Sequence, residues 1–225
     1  SVVFQNILNN ASGPLRKQLC ASRSIPLDKD GAGSVRPIAI GELFIKIPTL
    51  LLLHELHDVT IDHFDGVQFG VGTKGGLDRV VHWARQHHRS GKVIITLDCR
   101  NAFNSVTRSA LWKALNADEK WASLRPIFQL VYGEHSTLCA SAGGLIHEFT
   151  SRTGTKQGEA AAGLEFALVI HDALLTLRRE FPDIDLRAYL DDLTVAVSSE
   201  CLDMFSRWYA RATELFAAVG LEFAP

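Results

Sequence analysis

Two neighbouring segments of this sequence alternate apolar and polar positions with the two-residue period of a half-buried strand. Leu186, Ala188 and Leu190 mark the first, and Leu193, Val195 and Val197 mark the second. The pair Asp191-Asp192 falls between them, at the expected tip of a hairpin. Aspartate suits a tight turn by itself, because its short side chain hydrogen-bonds locally and tolerates left-handed backbone. Upstream, "KVIITLD" is a mostly β-branched run that reads as a buried strand ending in Asp98. "DKDGAGSVRPIAI" predicts a turn between two strands, and "STLCASAGGLIHEFT" a hairpin around Gly143 and Gly144.

Other stretches carry the helical period. After a turn at Gly13 and Pro14 comes a short helical pattern. A longer one runs through Leu43, Ile47, Leu50, Leu51 and Leu53, with a kink expected at Pro48. Gly66 to Gly76 is a glycine-rich loop, and Leu77 to His88 is then a helix with Val80, Val81 and Ala84 inward. Thr107 caps a helix through Leu111 and Leu115, and "KWASLRPIFQLVYGE" is helical. Glu159 to about Glu180 forms a long helix with Leu164, Leu168 and Leu175 among its apolar positions. Leu202 to Val219 is closed by Gly220 as a left-handed cap, and a last strand begins after it. The order of strands, hairpins and helices predicts an α+β fold, an antiparallel sheet covered by helices on one face.

With 47% hydrophobic and 21% charged residues, the 225-residue chain can bury a real core, in one large domain or two unequal lobes, and is not disordered. No apolar run approaches the roughly 18 residues of a membrane span, and no secretory signal is visible, so no membrane partner is expected. Cys20, Cys99, Cys139 and Cys201 lie far apart without a C-x-x-C pair. That argues against zinc and for free thiols in a reducing, intracellular compartment. The net charge of −2 carries no signature of nucleic-acid binding, yet Lys74 to Lys92 holds five Lys/Arg against one Asp. A solvated helix face and a phosphate-contacting one explain that stretch about equally. Both ends of the sequence read as cuts in a longer polypeptide.

The acids carry the chemistry. A carboxylate closing an apolar strand is costly unless something positive pairs with it. If the strand ending in Asp98 neighbours the Asp191-Asp192 hairpin, three carboxylates converge and repel unless a cation is bound. An oxygen-only ligand set with open positions suits Mg²⁺, and two such ions are the known device for in-line phosphoryl transfer.

At these residues the chain resembles a known family. "LDCRNAFN", "GTKQGEAAAGLEF" and "AYLDDLTV" are similar, in order, to the A, B and C motifs of reverse transcriptases. "SIPLDKDGAGSVRPIAIGELFIKI" resembles the fingers segment of the same family, particularly of non-LTR retrotransposons and group II introns. The resemblance implies a right-hand polymerase fold, with fingers over residues 1–95, palm over 96–225, and a return of the fingers at about 118–150. It implies RNA-directed DNA synthesis from dNTPs on an RNA template and a DNA primer, within a longer polyprotein, and action in the nucleus for a eukaryotic element. Asp98, Asp191 and Asp192 would bind two Mg²⁺ ions, or Mn²⁺ in their place, with the Cys99 carbonyl as a backbone ligand. Phe103 falls at the steric gate against a ribose 2′-OH. Gln157 and Gly158 would sit beside the nascent base pair, and Lys29 and Arg36 would reach the triphosphate, where cations suit the shifting charge. Tyr189, Gly154 and Lys156 complete the motifs. The chain departs from the family pattern at Ala162-Gly163, where many relatives have Ser-Pro, and at Lys156, where Arg is commoner. It stops where motif D would supply a lysine, so the thumb is absent from it.

Other readings compete. "GVGTKG" fits the dinucleotide fingerprint G-x-G-x-x-G literally, but "DHFDGVQF" before it is a poor core strand. "HELH" is one residue short of the zincin spacing and reads as helix surface. Trp83, Trp112, Trp121 and Trp208 are expected in the core or at a lobe interface. Lys29 is equally an ordinary turn lysine, and Phe103 equally a packing residue. A fold of this kind retained as a silent nucleic-acid-binding module is the remaining alternative, against which all three aspartates stand.

Overall fold

The computed structural model describes residues 11–28 and 35–224. In chain order these form α1 (Gly13–Cys20), β1 (Ser22–Asp28), β2 (Val35–Ile40), α2 (Leu43–Glu55), α3 (His57–Phe64), α4 (Gly76–Arg89), β3 (Val93–Leu97), α5 (Ala102–Ser105) and α6 (Arg108–Asn116). A 3₁₀ turn (Glu119–Leu124) leads into α7 (Arg125–Tyr132), and then follow β4 (Ser136–Ala142), β5 (Leu145–Ser151), α8 (Ala162–Glu180), β6 (Asp185–Tyr189), β7 (Asp192–Val197) and α9 (Leu202–Ala217). This is a mixed α+β fold with two sheets, and among the described residues no helix is long and apolar enough to cross a membrane.

The four-stranded sheet has the order β2-β1-β4-β5. β1 and β2 pair antiparallel, and β4 joins β1 in parallel; the turn expected between β1 and β2 lies outside the described residues. The β4–β5 hairpin closes on Gly143 and Gly144, both with positive φ (58° and 78°). A type I′ turn needs that at both central positions, and glycine adopts it without strain. Residues 136–151 therefore return to the sheet begun by 22–40.

The three-stranded sheet has the order β3-β7-β6 and is antiparallel throughout. Leu186 and Ala188 of β6 and Leu193, Val195 and Val197 of β7 share one core cluster with α8, whose Phe166, Ile170, Leu174 and Leu177 have no exposed surface. Trp208, Ala212 and Phe216 of α9 and Leu111 and Leu115 of α6 complete that side. Each fully buried leucine or phenylalanine there contributes about 1.5–3 kcal/mol by leaving water.

The opposite face is covered as well, which corrects the expectation of helices on one face only. Register pairs Arg187 with Thr194 and Thr194 with Thr96, so these residues share a face. The Arg187 guanidinium there lies 4.9 Å from the Trp83 ring of α4 and 4.8 Å from that of Phe69. Gly76, Val80 and Trp83 are the buried residues of α4, while Val81 is 38% exposed. β3 is an edge strand and none of its residues is fully buried, because β7 alone flanks it along its length. The expected division at 95/96 falls inside β3.

Three local expectations shift for physical reasons. Most of the periodic apolar positions of α2 point outward: Leu43, Ile47 and Leu51 are more than half exposed, Leu53 packs against the core, and Ile45 and Thr49 are the buried residues. α2 continues through Pro48 and breaks only at Leu56. α8 begins at Ala162, because Gln157 to Ala161 form a loop that reaches back to β2.

Candidate active site

β3 and β7 pair as far as Leu97 and Leu193. Side chains alternate across a strand, so Asp98 and Asp192, one step further out on each, continue the face that carries Thr96 and Thr194. β6 and β7 are joined by the two-residue turn Leu190-Asp191. Leu190 alone of the two has positive φ (54°), as the first central residue of a type II′ turn requires. Glycine is the usual occupant, and the left-handed region costs leucine about 1–2 kcal/mol.

The turn is held from outside. Gln68, 1% exposed, accepts the Leu190 N–H at its Oε1 (2.7 Å) and donates from Nε2 to the Leu190 carbonyl (3.2 Å). The same Oε1 accepts the Gly70 N–H at 2.9 Å. Val67 to Phe69 add to β6 as a short parallel strand, with Phe69 N–H donating to the Ala188 carbonyl and Ala188 N–H to Val67. The glycine-rich loop is thus the support of the aspartate turn. A Cβ on Gly70 would stand 2.7 Å from the Leu190 nitrogen.

Past β3 the chain begins a second pairing. Arg100 N–H donates to Glu222 and Ala224 N–H to the Asp98 carbonyl, bracketing an antiparallel bridge of Cys99 with Phe223. In that pattern the N–H and C=O of Cys99 itself point away from Phe223. They face the side on which Asp191 and Asp192 lie. Asn101 then takes left-handed backbone (φ 48°) and starts α5.

The segment 153–158 closes the other wall. Gly154 N–H donates to Val106 and Thr155 N–H to Phe103, and Gly154 has positive φ (67°) with no room for a Cβ against the Phe103 carbonyl. The Gln157 carbonyl accepts the Ala39 N–H of β2 at 2.7 Å, and a Cβ on Gly158 would overlap the Ala39 carbonyl. These glycines let backbone pack on backbone.

The result is a polar cleft of about 230 Å³ lined by Asp98, Cys99, Asn101, Phe103, Asn104, Gln157, Asp191 and Asp192, with Val35, Arg36 and Pro37 of β2 across from them. Phe103 lies at its edge, stacked on Phe166 with ring centroids 4.9 Å apart. Burial chiefly, then Asp192 and Asp98, raises the Asp191 pKa, while its own backbone N–H and Arg36 oppose the shift. Burial and then Asp98 raise that of Asp192, again against Arg36. The Cys99 thiol is pushed up to about 12 by burial and the three acids. Among the described residues none of the three aspartates forms an ion pair, and no three acid, histidine or cysteine side chains are closed into a metal cage.

Four motif residues are not among those lining this cleft: Gly154 and Gly158, which pack on the Phe103 and Ala39 carbonyls, and Tyr189 and Lys156. Tyr189 lines an apolar groove between α4 and the β3–β7 pair that opens beside Asp98 and Asp192. Lys156, 3% exposed, turns away and donates from Nζ to the Cys20 carbonyl at 2.6 Å and the Ser22 hydroxyl at 3.3 Å. It ties the 153–158 segment to β1, and burial lowers its pKa against the pull of Glu159. Lys29 lies outside the described residues. Sequence reasoning missed Gln68, Asn101 and Asn104. Asn101 and Asn104 stand within "LDCRNAFN", but Gln68 carried no signal beyond its place two residues before a glycine.

Comparison with known proteins places the chain in a family. Residues 27–225 match the family described as reverse transcriptase (RNA-dependent DNA polymerase). The chain is 28% identical over 221 residues to the retrotransposable element SLACS 132 kDa protein of Trypanosoma brucei gambiense, a match covering 97% of this chain and 18% of that protein. With the family's match extending over nearly the whole length and over every residue of the cleft, the chain belongs to the reverse transcriptase (RNA-dependent DNA polymerase) family.

Proposed function

We propose that this chain carries the nucleotidyl-transfer site of a retroelement polyprotein, which extends a DNA primer with dNTPs along an RNA template. The observation that carries this reading is the register of β3 and β7, which sets Asp98 beside Asp192 with Asp191 on the adjoining turn, in one cleft with Arg36 and Phe103. The three-stranded sheet serves as palm, and the four-stranded sheet, including the returning β4–β5 hairpin, as fingers.

The residues fit divalent cations. Asp191 and Asp192 are held partly buried with raised pKa values and without ion pairs, a state that a cation would relieve. Asp98, Asp191, Asp192 and the Cys99 carbonyl form an oxygen-only donor set, which suits Mg²⁺, with Mn²⁺ as a substitute. When bound, two such ions activate the primer 3′-hydroxyl and offset charge on the leaving pyrophosphate. Arg36, across the cleft, supplies a fixed cation for the triphosphate. Phe103 crowds the sugar from the α5 side. Gln157, stapled to β2, and Gly158, which admits close approach, border the nascent pair.

Primer extension by the full-length polypeptide on RNA and DNA templates tests this reading, with dNTPs or NTPs and with Mg²⁺ or chelator. RNA-templated, Mg²⁺-dependent incorporation of dNTPs in preference to NTPs is expected. Binding of primer–template without any incorporation would leave a silent nucleic-acid-binding module.

A further inference from the structure

We infer that Gln68 is a positioning residue for the Asp191-Asp192 turn, its side-chain amide holding Leu190 in left-handed backbone so that Asp191 is aimed into the cleft. The inference rests on the metal-binding reading of the aspartates given above.

The turn leaves two backbone groups without a strand partner. In a two-residue hairpin the ladder ends at the flanking pair, here Tyr189 with Asp192. The N–H and C=O of Leu190 therefore have no strand partner. Both are bonded by one amide, at 2.7 Å to Oε1 and 3.2 Å from Nε2. Its orientation is fixed by three bonds together, since Oε1 also accepts the Gly70 N–H, and a flipped amide would set donor against donor. Gln68 is itself immobile. It is 1% exposed, bridges to Ala188, and donates its own N–H to Phe64.

Leucine at 190 gains nothing from positive φ (54°), so the conformation needs external support. Were Leu190 to relax to negative φ, the peptide leading into Asp191 would rotate and carry the carboxylate with it. A misplacement of about 1 Å at a reacting centre costs on the order of a hundredfold in rate. Among the described residues the Gln68 side chain hydrogen-bonds only Leu190 and Gly70, neither of which lines the cleft, so it acts on Asp191 through Leu190.

The test uses Gln68→Ala, Gln68→Glu and the double variant Gln68→Ala/Leu190→Gly in the full-length polypeptide. Glycine tolerates positive φ, so the double variant removes the strain that the clamp opposes. Mn²⁺ affinity is measured by electron paramagnetic resonance without nucleic acid or nucleotide. Single-nucleotide kcat and dNTP KM are measured beside it, together with Tm. Gln68→Ala is expected to weaken Mn²⁺ binding and lower kcat, each by about tenfold or more, with KM changed by less than about threefold. Leu190→Gly should restore a large part of both losses. Gln68→Glu keeps the two acceptor bonds but turns a second acceptor on the Leu190 carbonyl, so it should lose at least as much as Gln68→Ala, and it carries the comparison if Gln68→Ala does not fold. Mn²⁺ affinity and kcat unchanged in Gln68→Ala, or losses that follow Tm alone and are not relieved by Leu190→Gly, would overturn the inference. A wild type that binds Mn²⁺ but extends no primer removes the polymerase reading and leaves the clamp to be decided by the Mn²⁺ series.

Discussion

Leu97 and Leu193 form the last register pair of the β3–β7 ladder, and the next residue outward on each strand is an aspartate. Two carboxylates are thereby set side by side on one face of a sheet, with Asp191 on the turn that adjoins them. The predictions below follow from that placement and from the walls built around it.

Asp191→Asn should stabilise the metal-free protein. Burial and the neighbouring acids raise the pKa of Asp191 in the folded state above its unfolded value. The ionised carboxylate therefore costs stability; the cost grows as pH rises through these two values and stays constant above them. In chelator at neutral pH the variant's Tm should equal or exceed that of the wild type, by about 2–4 °C for each kcal/mol relieved. Mg²⁺ should raise the wild-type Tm and leave the variant's unchanged. A lower Tm with an intact Mg²⁺ response would contradict this.

Phe103→Ala should do two things at once. The ring stacks on Phe166 and also lines the cleft, so packing and sugar selection are not exclusive roles. A stability loss of about 2–3 kcal/mol is expected for a half-buried ring, alongside a rise in ribonucleotide incorporation relative to dNTPs. Denaturant unfolding and the incorporation ratio are the two measurements. A loss of stability with an unchanged ratio would make Phe103 a packing residue alone.

Gly154→Ala and Gly158→Ala should both damage the 153–158 wall. Each residue has positive φ (67° and 117°), and an added Cβ would overlap a carbonyl, that of Phe103 or of Ala39. The backbone conformation alone costs about 1–2 kcal/mol, and the overlap adds to it. Gly13→Ala is the control, with comparable φ (51°) and nothing within reach of the new methyl. Its loss of Tm should be distinctly smaller.

Stability should respond to pH through two interior groups of opposite sign. His63, packed 4.3 Å ring to ring against His171, is held down to about 4, chiefly by burial. The unfolded state takes up its proton first, so this group's stability is lost as pH falls from 6.5 to about 4. Glu165, 2% exposed with an unpartnered Oε2, is pushed up to about 8 by burial and then by Glu159. Its contribution falls as pH rises from 4.5 to about 8. His63→Phe should flatten the acid limb, and Glu165→Gln should flatten the neutral limb and gain about 1–3 kcal/mol above pH 8. Chemical denaturation across pH 4–9 reads both slopes; a variant whose slope matches the wild type would remove that group from the account.

The sequence was most legible where chemistry and period coincide. Alternation around Asp191-Asp192 announced the hairpin, and the glycine pair at 143–144 announced another, because in each the backbone geometry demands particular residues. Burial was less legible. "KVIITLD" reads as a central strand, yet a β-branched run fits an edge strand equally, and only the partner order separates the two. Leu43, Leu50 and Leu51 of α2 carry helical period but face outward, because period reveals that a face exists and not whether anything covers it. Lys156 shows the limit of motif reasoning. It stands in the B motif, but its long side chain finds the Cys20 carbonyl behind the wall and not the cleft. Gln68 was invisible for the converse reason, since its role depends on a partner 122 residues away.

The most direct measurement is single-nucleotide incorporation on an RNA template by the full-length polypeptide with Mg²⁺, wild type beside Asp98→Asn, Asp191→Asn and Asp192→Asn. The account predicts dNTP addition by the wild type and a loss of at least about a thousandfold in each variant, with primer–template binding retained, because each removes an oxygen ligand from one shared site. Near-normal addition by any of the three, or a wild type that binds primer–template and adds nothing, would contradict it.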